Sequence, residues 1–227
     1  MLLFYFGCCL GSFLMVVATR LPIGEDFLVS RSHCHHCQKT LRFYELIPLF
    51  SILFMKFRCS ACQKRIPITY LLVECLYGFL FFIVFKSLIG SIALVYFIWI
   101  TMAFLLSLTD LFYWIVEPKI LYPFGCLLWS LLYLFDWSFY PATLIFLLLV
   151  AFLIYFFLQA YFGFGDMLLL LFWGPWFTIH QLFILLFVAS LSGLIISYLY
   201  SRLTQQSVNH LPFVPFLSLG LLFLLFF

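Results

Sequence analysis

Apolar runs of about 20 residues recur along this chain, and no other feature limits its fold as strongly. A run of that length crosses about 30 Å of hydrocarbon as a helix. Transmembrane strands would alternate polar and apolar residues, and these runs do not. Composition agrees: 67% of the residues are hydrophobic and 8% charged, too apolar for one soluble core. The expected class is an all-α polytopic membrane protein of about eight transmembrane helices, with seven as the alternative count. The expected spans are 2–19, 67–85, 91–109, 119–135, 140–161, 166–179, 181–200 and 211–227. The sixth is short and contains Gly174-Pro175, so it is expected to be tilted, locally thinned against its neighbours or partly re-entrant. Leu2 to Ala18 has no basic residue before it and Arg20 after it, which reads as a retained span and not a signal peptide.

Orientation follows from charge. The polar loop 20–66 carries Arg20, Arg31, Lys39, Arg42, Lys56, Arg58, Lys64 and Arg65. Placing it in the cytoplasm, with alternation thereafter, puts Lys119 and Arg202 inside as well. Ten of the eleven basic residues are then cytoplasmic, and only Lys86 lies outside. The role of the basic loop is topological, with lipid headgroups as partners; nucleic-acid binding is not expected. The chain divides into an N-terminal region, 1–86, holding the first two spans and the loop, and a membrane domain, 87–227.

Cys34-His35-His36-Cys37 and Cys59-Ser60-Ala61-Cys62 are two CxxC knuckles in that loop. Four thiolates at this spacing suit one tetrahedral structural zinc, with Cys34, Cys37, Cys59 and Cys62 as ligands. His33, His35 and His36 are rival ligands, but four cysteines already complete a closed site. Metal binding would supply much of the folding free energy of so short a loop. Cys8, Cys9, Cys75 and Cys126 lie in apolar runs and read as packing residues.

Carboxylates are scarce. Glu25, Asp26, Glu45 and Asp136 fall in polar loops, Glu74 lies within the second span, and Asp110, Glu117 and Asp166 sit at the cytoplasmic ends of helices. Ionisable groups at membrane depth carry a functional expectation. The structural alternative is that they lie among headgroups, cap helix starts or pair with Lys119, and for Glu117 beside Pro118 that reading is preferred. Asp166 fits a helix N-cap or first turn equally well. Two features favour chemistry for Asp110 and Asp166. They share one face, and Asp166 ends Gly163-Phe164-Gly165-Asp166, whose glycines admit close backbone approach. Such a pair can hold one proton, the ionised member activating water while the protonated member polarises a scissile carbonyl.

In combination and in order, these residues resemble the type IV prepilin peptidase family. The resemblance runs from Gly11-Ser12-Phe13-Leu14 and Arg20-Leu21-Pro22 through Ser30-Arg31-Ser32-His33-Cys34 and the paired CxxC to Leu46-Ile47-Pro48-Leu49 and Val73-Glu74. It continues with Asp110, the GxGD segment, Leu211-Pro212-Phe213-Val214-Pro215-Phe216 and Leu219-Gly220. It implies an aspartic peptidase using Asp110 and Asp166, supported by Gly163, Gly165 and Glu74, that removes the leader of prepilin or pseudopilin precursors. Many members also methylate the new N-terminus with S-adenosylmethionine, an activity associated with the zinc-loop half. The small size and dense Phe look like a Gram-positive, competence-type version in the cell membrane. Three positions depart from the family pattern: Met15 replaces a common Asn, Leu168 a common Lys, and Ile115-Val116-Glu117-Pro118 the usual Ile-Pro-Asp. The first weakens the implied methylation, but no departure removes an aspartate of the pair. The rival readings are a presenilin-like intramembrane protease, which also uses a GxGD aspartate, and a noncatalytic scaffold or transporter with a zinc-stabilised loop.

Overall fold

The computed structural model describes residues 1–27, 31–34, 36–157, 163–205 and 211–227, with the side chains of 52 and 53 excepted. His35, the rival ligand, and Ser30 of the loop motif lie outside the described residues. Among those residues the regular elements are helical: α1 Leu2–Arg20, α2 Phe50–Phe54, α3 Thr69–Ser87, α4 Ser91–Tyr113, α5 Pro118–Leu134, α6 Pro141–Phe157, α7 Phe164–Trp173, α8 Ile179–Thr204 and α9 Val214–Phe226. Short 3-10 turns cover Phe43–Glu45 and Gly174–Trp176. By length and composition α1, α3, α4 and α8 can each cross a membrane, while α5, α6 and α9 are apolar but shorter. The chain is therefore an all-helical, multi-pass membrane protein.

Two boundaries carry physical meaning. Helix α4 runs to Tyr113, so Asp110 lies in its last turn and not beyond it. Helix α7 starts at Phe164, which puts Asp166 in its first turn, and ends after ten residues. Pro175 lacks an N–H to continue the ladder, so the expected sixth span breaks into a 3-10 turn. The helix proper rises only about 15 Å.

The chain forms two compact units that divide between Phe97 and Ile98, inside α4. In the first unit α1 packs on α3 through small residues. Gly7 and Gly11 stand one turn apart on α1 and face Gly78 and Tyr77 of α3. A Cβ on Gly7 would lie 2.7 Å from the Phe81 Cβ and 2.9 Å from the Gly78 Cα, and one on Gly78 would collide with the Cys8 sulfur. This backbone approach is the small-xxx-small packing of membrane helices, where dispersion replaces the hydrophobic effect as the force between helices. It also brings Ser12 of α1 to Glu74 of α3, whose side chains are hydrogen-bonded.

The second unit is tied by polar contacts at helix ends. The Ser107 and Ser218 hydroxyls lie 2.8 Å apart, joining α4 to α9. Trp129 Nε1 of α5 donates to the Phe172 carbonyl of α7 at 2.9 Å. Thr143 Oγ1 of α6 donates to the Phe177 carbonyl at 2.9 Å, next to the break after α7. Between these ties apolar side chains, among them Leu128, Leu132, Leu147 and Leu169, fill the core.

Gly78→Leu is expected to destabilise the first unit by about 1–3 kcal/mol through overpacking. Thermal unfolding in detergent measures it; an unchanged midpoint would contradict the close α1–α3 contact.

Candidate active site and metal centre

The two knuckles fold alike. Cys34 N–H donates to the Lys39 carbonyl and Gln38 N–H to the Cys34 carbonyl; Cys59 and Lys64, then Gln63 and Cys59, repeat the pattern. Gln38 and Gln63 both take left-handed backbone, at φ +56° and +58°. The underlying repeat, Cys-x-x-Cys-Gln-Lys, is readable at 34–39 and 59–64, and reading the cysteines alone misses it. Each turn aims N–H groups at its first sulfur. Ala61 N–H reaches Cys59 Sγ at 3.5 Å. Hydrogen bonds from the Cys62 and Ala61 backbone lower the Cys59 thiol to about 6, and those from Cys37 and His36 lower Cys34.

All four sulfurs lie within 4.8 Å of one another and are free thiols. Cys34 and Cys62 are 3.8 Å apart, Cys37 and Cys59 3.9 Å. Sulfurs placed 2.3 Å from one ion at tetrahedral angles stand about 3.8 Å apart, so the cluster is of a size to hold a metal. Glu45 joins the knuckles. Its carboxylate accepts Arg42 N–H at 2.7 Å and the Ser60 hydroxyl, and pairs with Lys39 at 3.8 Å. Those hydrogen bonds hold it below the usual carboxylate range.

A cavity of about 300 Å³ lies inside the first unit, beneath the knuckles, lined in part by Ser12, Arg20, Glu45, Tyr70 and Glu74. Glu74 is 4% exposed and accepts Leu49 N–H at 2.9 Å. Met15, the departure in α1, is buried but is not among the lining residues.

In the second unit the structure brings Asp110 and Asp166 into one locale, close enough for the charge of Asp110 to act on Asp166. Asp110 is buried, and its Oδ2 accepts the N–H of Val214, the first residue of α9, at 3.0 Å. The Leu211–Phe216 segment thus has a task that its sequence did not disclose: its backbone N–H fixes an aspartate of α4. A side chain at either glycine of the GxGD segment would make a close contact, and at Gly163 the group displaced would be the Asp166 carboxylate itself. A Cβ on Gly163 would lie 2.9 Å from Asp166 Oδ2, and one on Gly165 2.6 Å from Val116 Cγ2. Glu117 stays structural, capping α5 by accepting Lys119 N–H at 3.5 Å. An apolar cavity of about 340 Å³ opens between α6 and α7, lined by Ile154, Tyr155, Gly163, Met167, Leu168 and Leu171 among others. Leu168, where the family commonly has Lys, forms part of that apolar wall.

Comparison with known proteins agrees with these two halves. Residues 5–88 match the bacterial peptidase A24 N-terminal domain, and residues 95–198 match the type IV leader peptidase family. The chain is 31% identical over 94% of its length, and 88% of the relative's, to a type 4 prepilin-like proteins leader peptide-processing enzyme of Escherichia coli. It is 32% identical to prepilin leader peptidase/N-methyltransferases of Aeromonas salmonicida, covering 87% of that protein, and Bacillus subtilis, covering 49%. A protein of that name from Myxococcus xanthus is 37% identical, but the match spans only 36% of it. No solved structure matches the chain.

A metal held by the cysteines is expected to be retained at neutral and alkaline pH and released on acidification, because protons compete with it for the thiolates. A colorimetric chelator assay of the purified protein reads the release; occupancy independent of pH would contradict thiolate ligation.

Proposed function

Because the chain belongs to the type IV leader peptidase family, we propose that it is an aspartic endopeptidase in which Asp110 and Asp166 cut the leader from prepilin-like or pseudopilin precursors. The observation that carries this reading is the pairing of a buried, hydrogen-bonded Asp110 with a half-buried Asp166. One carboxylate takes a proton from the attacking water while the other, protonated, donates to the scissile carbonyl oxygen. Val214 N–H holds Asp110 in place, and the two glycines give Asp166 its seat. The apolar cavity beside Gly163 suits the hydrophobic segment that follows the cleavage site, and Leu168 keeps its wall uncharged.

The charge asymmetry supports an orientation in the cell membrane with loop 20–66 and the aspartates at the cytoplasmic face. An eight-segment topology, with α7 as a short broken segment, satisfies it. The substrates are then pseudopilins of a competence-type system. The four thiols suit structural zinc, which would brace the loop and leave no open position for substrate. The residues of the N-terminal cavity also suit S-adenosylmethionine: Arg20 and Glu74 offer one charge of each sign to its zwitterionic aminoacyl group, and Tyr70 offers an aromatic surface. Bound there, it would supply the methyl group for the new N-terminus. The Met15 departure leaves the cavity wall intact, which favours retained methylation. A presenilin-like protease would not need the zinc loop or this cavity, and a scaffold would not need a sterically fixed aspartate pair.

Asp110→Asn and Asp166→Asn are each expected to lower precursor cleavage in membranes by at least about 100-fold. Unimpaired cleavage by either variant would overturn the aspartic mechanism. Gly165→Val, which drives a side chain into Val116, is expected to cost about 100-fold by displacing Asp166. Wild-type rates in that variant would remove the steric role of the motif.

A further inference from the structure

Two buried carboxylates line the 300 Å³ cavity of the first unit, and they differ in one respect. Glu45 is complete: it has the Arg42 N–H, the Ser60 hydroxyl and the Lys39 ammonium. Glu74 has the Leu49 N–H and Ser12, and among the described residues no cation pairs with it. A carboxylate offers about four acceptor sites, so two remain. A charge buried in a helix pair is costly unless it is matched by a counter-charge. Its surroundings are also held with effort. Leu49, which donates to it, sits at φ +64°, where a residue of that shape is strained. The glycine contacts of α1 with α3 bring Ser12 to it. Strained backbone and close helix packing thus converge on one buried carboxyl group that opens on a cavity.

We propose that Glu74 is the counter-ion for an α-ammonium group bound in this cavity. The inference rests on the methylation reading above. Two molecules of that reaction carry such a group: the substrate after cleavage, through its new N-terminal amine, and the methyl donor, through its amino-acid end. Arg20, Lys64 and Arg65 on the cavity wall provide for the carboxylate that accompanies the ammonium in the second case. Glu74 is therefore a positioning residue for methylation.

Binding separates the sources without turnover. The purified full-length protein is titrated with a peptide bearing the mature N-terminal sequence and a free amine, with the same peptide N-acetylated, and with S-adenosylmethionine. If the peptide is the ligand, acetylation and Glu74→Gln each weaken its binding by about tenfold or more. If the donor is the ligand, Glu74→Gln weakens S-adenosylmethionine by a similar factor and leaves the peptide unchanged. Either result supports the proposal. Glu74→Gln keeps the acceptor for Leu49, and Glu74→Asp restores the charge; metal content and melting midpoint report that each is folded. Rescue of binding by Asp and not by Gln marks a counter-ion. The proposal is overturned if no ligand binds the wild type, or if folded Glu74→Gln binds both as the wild type does. Glu74-dependent binding without any methyl transfer would sink the methylation reading and leave the counter-ion standing.

Discussion

A backbone N–H surrounded by apolar side chains must find its acceptor within the protein, because neither hydrocarbon nor a leucine core supplies one. A buried carboxylate has the complementary need. This chain meets both with the same contacts. Glu45 accepts from Arg42, Glu74 from Leu49, Asp110 from Val214 and Glu117 from Lys119, each a backbone donor and each onto a carboxylate less than 10% exposed. These bonds fix the loop to α3, the end of α4 to the start of α9, and the entry of α5. Asp166 is the exception: it is half-buried, and among the described residues no backbone N–H donates to it. It is held instead by the absence of side chains on Gly163 and Gly165.

Much of this was legible in the sequence because the signals were strong and local. Apolar run length sets the membrane class and places most helices within a few residues. The CxxC spacing marks a cluster whose sulfurs prove close enough to share an ion. Asp110, Asp166, Glu74 and Glu117 stand out because charged residues are rare among apolar helices. What escaped was long-range. No local pattern says that the N–H of Val214 meets an aspartate 104 positions earlier, or that Leu49 meets Glu74. The Gly7–Gly11 spacing is a packing signal in plain view, but its partner on α3 is not. The break of the sixth span at Gly174-Pro175 follows from proline chemistry, yet the 3-10 turn after it depends on the Thr143 and Tyr140 contacts.

The departures from the family pattern acquire separate meanings. Met15 fills a buried position on α1 beside the cavity-lining Ser12, Val16 and Thr19 but forms none of the wall. Leu168 extends an apolar surface next to the GxGD turn. Glu117 replaces a family aspartate and serves the start of α5, with Val116 before it packing on Gly165. None touches the Asp110–Val214 bond, and Val116 leaves room for the glycine at position 165 beside Asp166. On this account the chemistry rests on a few backbone contacts.

The central claim is that one enzyme-bound aspartate pair removes a leader ahead of a hydrophobic segment. The most direct test is intact-mass and N-terminal analysis of a pseudopilin precursor expressed with this chain as its only processing enzyme. The account predicts a single new N-terminus at the first residue of the hydrophobic segment. An uncut precursor, or ends scattered within that segment as an intramembrane protease would leave, would contradict it.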